Sequence, residues 1–210
     1  MAIMKRLILP LALLAALAGC VPSLNPLYTE KDLVFDPALL GVWGEANAKE
    51  TWTFEKAGEK KYKLLQTDND GRTGEFEVHL LKLSDHYFLD LYVTEPGGEK
   101  WSPNDLARGA IIMRPGHLFL KVTQIQPTLK MAMLDLDWLQ KRLEKDPRAV
   151  RHEKIRFGSA NEKDFQLVLT AETKELQRFI LKSVDKAFGD ESSELFRRTN
   201  SSPAAPAAKK

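Results

Sequence analysis

Three features of the sequence predict a mainly β domain of the α+β class. Short apolar stretches recur along the chain, and residues suited to burial alternate with polar ones, as in Thr51-Trp52-Thr53-Phe54-Glu55. Turn-forming residues such as Asn69-Asp70-Gly71 separate these stretches. A late segment, residues 173–187, instead carries apolar residues at helical spacing. We therefore expect an antiparallel sheet of seven or eight strands with a C-terminal helix.

The predicted elements follow one another closely. A single helical turn opens the domain at residues 36–41, where Asp36 suits the N-cap position and Gly41 suits the exit. The predicted strands cover residues 51–55, 61–67, 75–83, 87–93, 110–113, 117–125, 128–134 and 164–170. The predicted helices cover residues 135–145 and 173–187. A sheet of this size either closes into a barrel or stays open with helices packed on one face.

The first twenty residues predict a signal for lipid attachment. Lys5 and Arg6 precede an apolar segment, residues 7–17, which is too short to cross a bilayer as a helix because that requires about 20 residues. Leu17-Ala18-Gly19-Cys20 follows and resembles the lipobox of bacterial lipoproteins. The resemblance implies cleavage before Cys20, a diacylglyceryl group on its sulfur and a place in the bacterial cell envelope. Val21 after the cysteine implies sorting to the outer membrane in a Gram-negative cell.

Composition divides the chain into four parts. Residues 1–19 form the predicted lipoprotein signal peptide, and residues 20–35 form a proline-containing, lipidated tether. Residues 36–190 form the β-rich globular domain. Residues 191–210 end in Ser-Ser-Pro-Ala-Ala-Pro-Ala-Ala-Lys-Lys and are predicted to be a disordered tail.

Charge and cysteine content narrow the range of partners and cofactors. Two of the 31 lysines and arginines lie in the signal, which leaves 29 of them to balance 29 acidic residues. A neutral chain without a long run of like charge gives no reason to expect nucleic-acid binding, so none is predicted. Cys20 is the only cysteine, so stability must come from apolar burial and hydrogen bonds rather than disulfides. No cofactor motif occurs, and no cofactor is predicted.

Gly41-Val42-Trp43 lies between the predicted turn and the first strands and resembles the G-x-W motif of the lipocalins and calycins. The resemblance implies an eight-stranded up-and-down barrel whose closed end is filled by the tryptophan and whose last strand is followed by a helix. It also implies a basic partner for Trp43, which the sequence does not identify. A second helix at residues 135–145 departs from the pattern. The lead-in at residues 27–36 further resembles uncharacterised bacterial lipoproteins, which implies no activity.

Two motif-like stretches lack a ligand that their sites require. His152-Glu153-Lys154-Ile155-Arg156 begins like a zinc-protease helix, but Arg156 stands where the second histidine is needed. Asp68-Asn69-Asp70-Gly71 resembles part of a calcium loop, but Gln66 occupies the first ligand position. No pair of histidines has an evident third ligand; the histidines are His79, His86, His117 and His152. We therefore predict no metal site, no catalytic site and no enzyme activity.

Three tryptophans are the candidate pocket or docking residues. Trp43 and Trp52 lie at the start of the sheet, and Trp101 lies in a loop rich in glycine and proline. One hypothesis is that the domain binds a hydrophobic ligand or an envelope component in a pocket formed by the sheet. The alternative is a non-enzymatic scaffold or assembly module that acts by protein contact through the Trp101 loop and the tail. A hydrolase with a site assembled from distant residues is a third hypothesis.

Overall fold

The computed structural model describes residues 21–95, 116–156, 165–189 and 193–198. Within these ranges the strands are β1 (Leu33–Val34), β2 (Gly41–Gly44), β3 (Thr51–Lys56), β4 (Tyr62–Thr67), β5 (Thr73–Leu83), β6 (His86–Glu95), β7 (His117–Gln124), β8 (Thr128–Met133), β9 (His152–Arg156), β10 (Phe165–Leu169) and β11 (Ser193–Arg197). The helices are α1 (Leu136–Lys145) and α2 (Thr173–Ala187), and 3-10 turns cover Glu30–Asp32 and Pro37–Leu39. The predicted strand at residues 110–113 lies outside the described residues.

Eight of these strands form a closed antiparallel barrel. The hydrogen-bonded order runs from β2 through β3, β4, β5, β6, β7 and β8 to β11, which pairs with β2 again. The alternating sequence and tight turns predict this antiparallel pairing, and closure removes the free edges of the sheet. β1 is an additional strand that pairs with the second half of β5, beyond the residues that pair with β4. Of the two predicted architectures, the lipocalin-like barrel is confirmed.

Alternate side chains of the barrel separate into an inner and an outer apolar cluster. On β5, Val78 and Leu80 belong to the inner cluster, whereas Leu81 and Leu83 belong to the outer one. The outer cluster also contains the buried side chains of α1 and α2 and two from β10, Leu167 and Leu169. These elements therefore form a second layer on the barrel wall. Strands β5 to β8 bury residues on both faces because this layer covers them.

The position of the late helix in the strand order corrects the prediction. Residues 164–170 are predicted to be the last strand of the sheet, but β10 pairs along its whole length with β9, outside the barrel. α2 forms at Thr173–Ala187 as predicted, and the chain then returns to the barrel as β11. The helix thus precedes the last barrel strand instead of following it. Alternation shows which face of a strand is apolar, but it carries no information on which strand lies beside it.

The structure also differs from the predicted disordered tail. Ser193–Arg197 forms β11, which pairs with β8 on one side and with β2 on the other. Leu195 is buried in the inner cluster, between the exposed side chains of Glu194 and Phe196. These five residues alternate as a strand should, but the neighbouring Ser/Pro/Ala-rich sequence outweighed this short signal.

The described part of the predicted tether, from residue 21 onward, is docked on the domain. The side chains of Val21 and Leu27 are 4% and 0% exposed and belong to the outer cluster. The backbone N–H of Ser23 donates to the carbonyl of His117, and that of Leu24 donates to the carbonyl of Leu169, both at 2.9 Å. The prolines of this segment exclude regular structure, but they do not prevent an irregular chain from being buried. Residues 21–32 are called the anchor segment below.

Candidate functional site

The 3-10 turn Pro37–Leu39 covers one end of the barrel. Leu39 precedes the first barrel strand and yet belongs to the inner cluster, so its side chain enters the barrel from an end. Trp43 is fully buried beneath it, and its Nε1 donates to the carbonyl of Leu39 at 2.8 Å. The Tyr62 hydroxyl accepts from the N–H of Asp36 at 2.7 Å and donates to the Asp36 carbonyl at 3.1 Å. Burial raises the pKa of Tyr62 to about 12, which keeps this hydroxyl protonated.

Arg197 is the basic partner of Trp43 that the sequence did not identify. Because β11 pairs with β2, Arg197 lies directly opposite Trp43, and its Cζ is 4.6 Å from the centroid of the indole ring. Its Nη1 donates to the carbonyl of Leu40 at 2.9 Å, and its Nη2 donates to that of Ala38 at 2.6 Å. Gly41 has a φ of +118°, and a Cβ there would lie 2.8 Å from Nη1 of Arg197. This arrangement fits a lipocalin-like barrel.

Side chains fill the interior of the barrel. The inner cluster contains 14 buried residues, none more than 6% exposed, and each of the eight barrel strands contributes at least one. Trp43 was predicted as a pocket or docking residue, but it forms part of this filling and has no exposed surface. An apolar ligand would therefore have to displace side chains to enter the middle of the barrel.

The other two tryptophans have different outcomes. Trp52 lies opposite Trp43 across the β2–β3 pair, is half-buried and packs against the inner cluster. Its Nε1 donates to Oε1 of Glu50 at 3.2 Å, and its ring lies 6.4 Å from that of Phe54. Part of this indole therefore remains accessible. Trp101 lies outside the described residues, so its role stays a prediction.

A buried carboxylate fastens the anchor segment to the barrel wall. Asp90 of β6 is 1% exposed, and its Oδ2 accepts a hydrogen bond from the N–H of Leu27 at 2.8 Å. Its Oδ1 lies 2.6 Å from Nδ1 of His117. In many hydrolases, the aspartate of such a pair orients the histidine that acts as the general base. Here the hydroxyl of Ser23, whose backbone pairs with that of His117, donates instead to the carbonyl of Asn25 at 2.7 Å. This cluster therefore supports attachment of the segment rather than nucleophilic catalysis.

The anchor segment also buries a second histidine of the barrel wall. His79 lies opposite Asp90 across the β5–β6 pair, and its ring centroid is 4.5 Å from that of Tyr28. Burial lowers the pKa of His79 below its ordinary value of 6.5, although the nearby carboxylates of Glu77 and Asp90 oppose this effect. Burial, with a contribution from Asp90, raises the pKa of Tyr28 to about 12.

An open groove of about 750 Å³ lies between α1 and α2 and is called the interhelical groove below. Its apolar part includes Trp138 of α1 and Phe179 of α2, whose ring centroids are 5.9 Å apart. Six basic residues and three acidic residues also line it, which gives a local excess of three positive charges. The basic residues are Arg142, Lys145, Arg148, Arg178, Lys182 and Lys186. No local pattern in the sequence predicts this groove, because α1 and α2 lie far apart in the chain.

Two of the three acidic residues of the interhelical groove are already paired. Oδ2 of Asp146 accepts from Nη2 of Arg142 at 3.1 Å, and this hydrogen bond lowers the pKa of the carboxyl. Glu175 accepts from the backbone N–H of Arg151 at 2.9 Å and from its Nε at 2.8 Å. Burial opposes ionisation of Glu175, but these hydrogen bonds outweigh it and lower the pKa. Both carboxylates therefore remain charged and neutralise their arginine partners near neutral pH.

The motif-like stretches form ordinary strands and turns. His152–Arg156 is strand β9, not a helix. Oδ1 of Asp68 accepts from the N–H of Asp70 and of Arg72, both at 2.9 Å, so this carboxylate is used within the turn. Across the four described ranges, no group of three or more metal-ligating side chains is arranged to hold an ion.

Comparisons with known proteins assign no family to the chain. No protein-family model, no curated protein and no solved structure matches it. Among the described residues, no helix has the length and apolar character needed to span a bilayer.

Proposed function

We propose that the chain is a lipoprotein of the bacterial cell envelope that is anchored through a lipidated Cys20. The lipobox-like stretch Leu17-Ala18-Gly19-Cys20 supports this proposal, as does the docking of the segment that follows. Since Val21 is buried, an acyl group on the adjacent Cys20 would begin within one residue of the folded domain. The acyl chains would contribute about 0.8 kcal/mol for each buried methylene. The domain would then lie directly on the membrane, which is the outer membrane if Val21 acts as the sorting residue in a Gram-negative cell.

A small β barrel is compatible with ligand binding, and the open question is where binding occurs. We place it on the outer surface: the domain acts as a non-enzymatic module that contacts another envelope protein. The observation that carries this choice is the filled barrel interior, where none of the 14 clustered side chains is more than 6% exposed. A rigid, packed barrel suits a scaffold, whereas a carrier of apolar ligands needs a cavity of about 300 Å³ or more.

A second candidate function is the binding of a hydrophobic ligand against the rim of the inner cluster. The partly buried rings of Trp52 and Phe76 favour it because they pack on that cluster while keeping accessible surface. Analysis of lipids that co-purify with the protein distinguishes the two functions. Contact through the outer surface predicts no stoichiometric lipid beyond the acyl chains on Cys20. One bound lipid per chain that is lost in a Trp52→Ser variant would favour the second function.

Metabolic labelling tests the anchor. Cells that express the full chain are grown with an alkyne analogue of palmitate, and incorporation is compared with that in Cys20→Ser and in Ser23→Ala. We expect label in the wild type and in Ser23→Ala, with the protein in the membrane fraction and residues 1–19 removed. Cys20→Ser should carry no label. An unlabelled wild-type chain that keeps its first nineteen residues would contradict the proposal.

A further inference from the structure

We infer that the interhelical groove binds an acidic segment of a partner protein, and that this segment inserts an apolar side chain between the two helices. The inference rests on the proposed function in that it names the surface through which the module acts. It does not depend on the lipid, because the groove belongs to the folded domain and can be measured without Cys20.

Charge complementarity indicates that the partner is negatively charged. Among the described residues, the ammonium groups of Lys145, Lys182 and Lys186 have no carboxylate partner, and all three side chains are exposed. By contrast, Asp146 and Glu175 are already bound to arginines. The mature chain as a whole is neutral, so this excess of positive charge is a property of one surface and not of the protein. A negatively charged segment is the partner that such a rim attracts.

The floor of the groove identifies the second requirement. Trp138 is half-buried against Phe179, and the aliphatic side chain of Leu181 also lines the groove. A partly exposed aromatic ring such as Trp138 in a concave surface is typical of the centres of protein interfaces, where it accepts an apolar side chain and excludes water. A simple polyanion would leave this floor exposed. The surface therefore suits a segment that combines acidic residues with an apolar one.

The position of the groove favours a protein segment over the membrane surface. Thr173 and Gln177 of α2 donate hydrogen bonds to the carbonyls of Pro26 and Leu27 in the anchor segment. At about 100° per residue, Lys182 and Lys186 lie about 140–180° around the helix from these contacts. The groove thus opens on the side of α2 that faces away from the segment next to Cys20. A partner protein reaches such a surface more readily than the lipid headgroups around the anchor do.

Selection from a random peptide library tests the inference without knowledge of the partner. The full chain with Cys20→Ser is purified, and a phage library of 12-residue peptides is selected on it. The same library is selected in parallel on the Lys182→Glu/Lys186→Glu double variant. We expect the first selection to enrich peptides with several Asp or Glu residues around one aromatic or aliphatic residue, and the double variant to lose them. Failure to enrich such peptides, or equal enrichment on both proteins, would overturn the inference.

Affinities of the best selected peptide sharpen the test. Reversal of two rim charges should weaken binding about tenfold or more, since each exposed ion pair contributes up to about 1 kcal/mol. The matched control, Lys49→Glu/Lys60→Glu, makes the same change in charge away from the groove and should retain the wild-type affinity. Replacement of the apolar peptide residue by Gln should also weaken binding. Equal losses in the two double variants would mean nonspecific attraction and would contradict the inference.

Lipid vesicles test the competing hypothesis that the groove binds a membrane surface. Wild-type protein and the groove variant, both with Cys20→Ser, are mixed with vesicles of phosphatidylglycerol and phosphatidylcholine. Groove-dependent binding to these vesicles, without groove-dependent peptide binding, would assign the surface to the membrane and reject the inference. Its failure would leave the lipid anchor untouched, because palmitate labelling tests Cys20 separately.

Discussion

At the scale of single residues, Arg197 makes contacts that nothing in the sequence around it predicts. It stacks on Trp43 and donates to the carbonyls of Ala38, in the covering turn, and Leu40, directly after it, although it lies more than 150 positions later in the chain. Both carbonyls lie at the end of a short 3-10 turn, where no further helical N–H group follows to donate to them. The guanidinium suits this place because its planar fork reaches two acceptors while its face rests on an aromatic ring.

We predict that Arg197→Ala lowers the free energy of unfolding by about 1–3 kcal/mol, since it removes two charge-assisted hydrogen bonds and a cation–π contact at an exposed site. The stability of Arg197→Lys should lie between that of the wild type and that of Arg197→Ala, because an ammonium cannot hold the same fork geometry. The measurement is urea unfolding at neutral pH. Arg72→Ala, in an exposed turn with two weak ion pairs, is the control and should change stability by less than about 0.5 kcal/mol. Equal effects of Arg197→Ala and Arg72→Ala would contradict the assignment.

At the scale of elements, β11 decides whether the sheet closes. It is five residues long, but it supplies the only link between β8 and β2 among the described strands. Without it, both neighbours would present unpaired backbone N–H and C=O groups at an open edge. The inner cluster would also lose Leu195.

Two truncations test this role of β11. A chain that ends after Thr199 keeps the strand and should melt within about 2 °C of the full chain. A chain that ends after Ser192 lacks the strand and should be aggregated or largely unfolded, because the barrel is opened and its core is exposed to water. Circular dichroism melting and gel filtration distinguish these outcomes. A folded, monomeric Ser192 truncation would mean that the strand is dispensable.

At the scale of the whole molecule, the anchor segment binds the two layers together. It contacts the barrel wall through Leu27 and Asp90, and it contacts α2 through Pro26 and Thr173. Gln177 extends this link, donating to the carbonyl of Leu27 and to Asp32. The segment also covers His79. Docking of the segment therefore opposes protonation of this imidazole, and protonation opposes docking.

This opposition predicts a dependence of stability on pH. The pKa of His79 is lower in the folded chain than its ordinary value of 6.5, so the unfolded chain binds the proton more readily. The folded chain therefore keeps its full stability with respect to His79 above pH 6.5, where this imidazole is neutral in both states. It loses stability progressively as the pH falls below that value. His79→Phe keeps a ring against Tyr28 but does not titrate, and its free energy of unfolding should fall less between pH 7 and pH 5. Urea unfolding at both pH values measures the difference.

Salt provides the control for the pH experiment. The lowered pKa of His79 arises mainly from burial, which 0.5 M NaCl does not screen. The difference in pH-dependent stability between His79→Phe and the wild type should therefore persist in salt. An equal loss of stability in both proteins between pH 7 and pH 5 would show that other groups cause it.

The sequence by itself determined most of the strands and both helices of this protein. Period-two alternation marked the long strands, the Asn69-Asp70-Gly71 turn separated two of them, and Asp36 marked the start of a helical turn. The apolar stripe of residues 173–187 marked α2 at the residues where it forms. These signals are visible in a sequence because they depend on neighbours within a few residues of one another.

Only the tertiary structure decided which elements meet. Alternation could not show that β10 leaves the barrel while the short β11 closes it, nor that Arg197 covers Trp43. The interhelical groove and the docking of the anchor segment likewise depend on contacts between residues far apart in the chain. The physical reason is that apolar burial is non-directional: a pattern of apolar residues states that a face must be covered, and the packing of the whole chain selects what covers it.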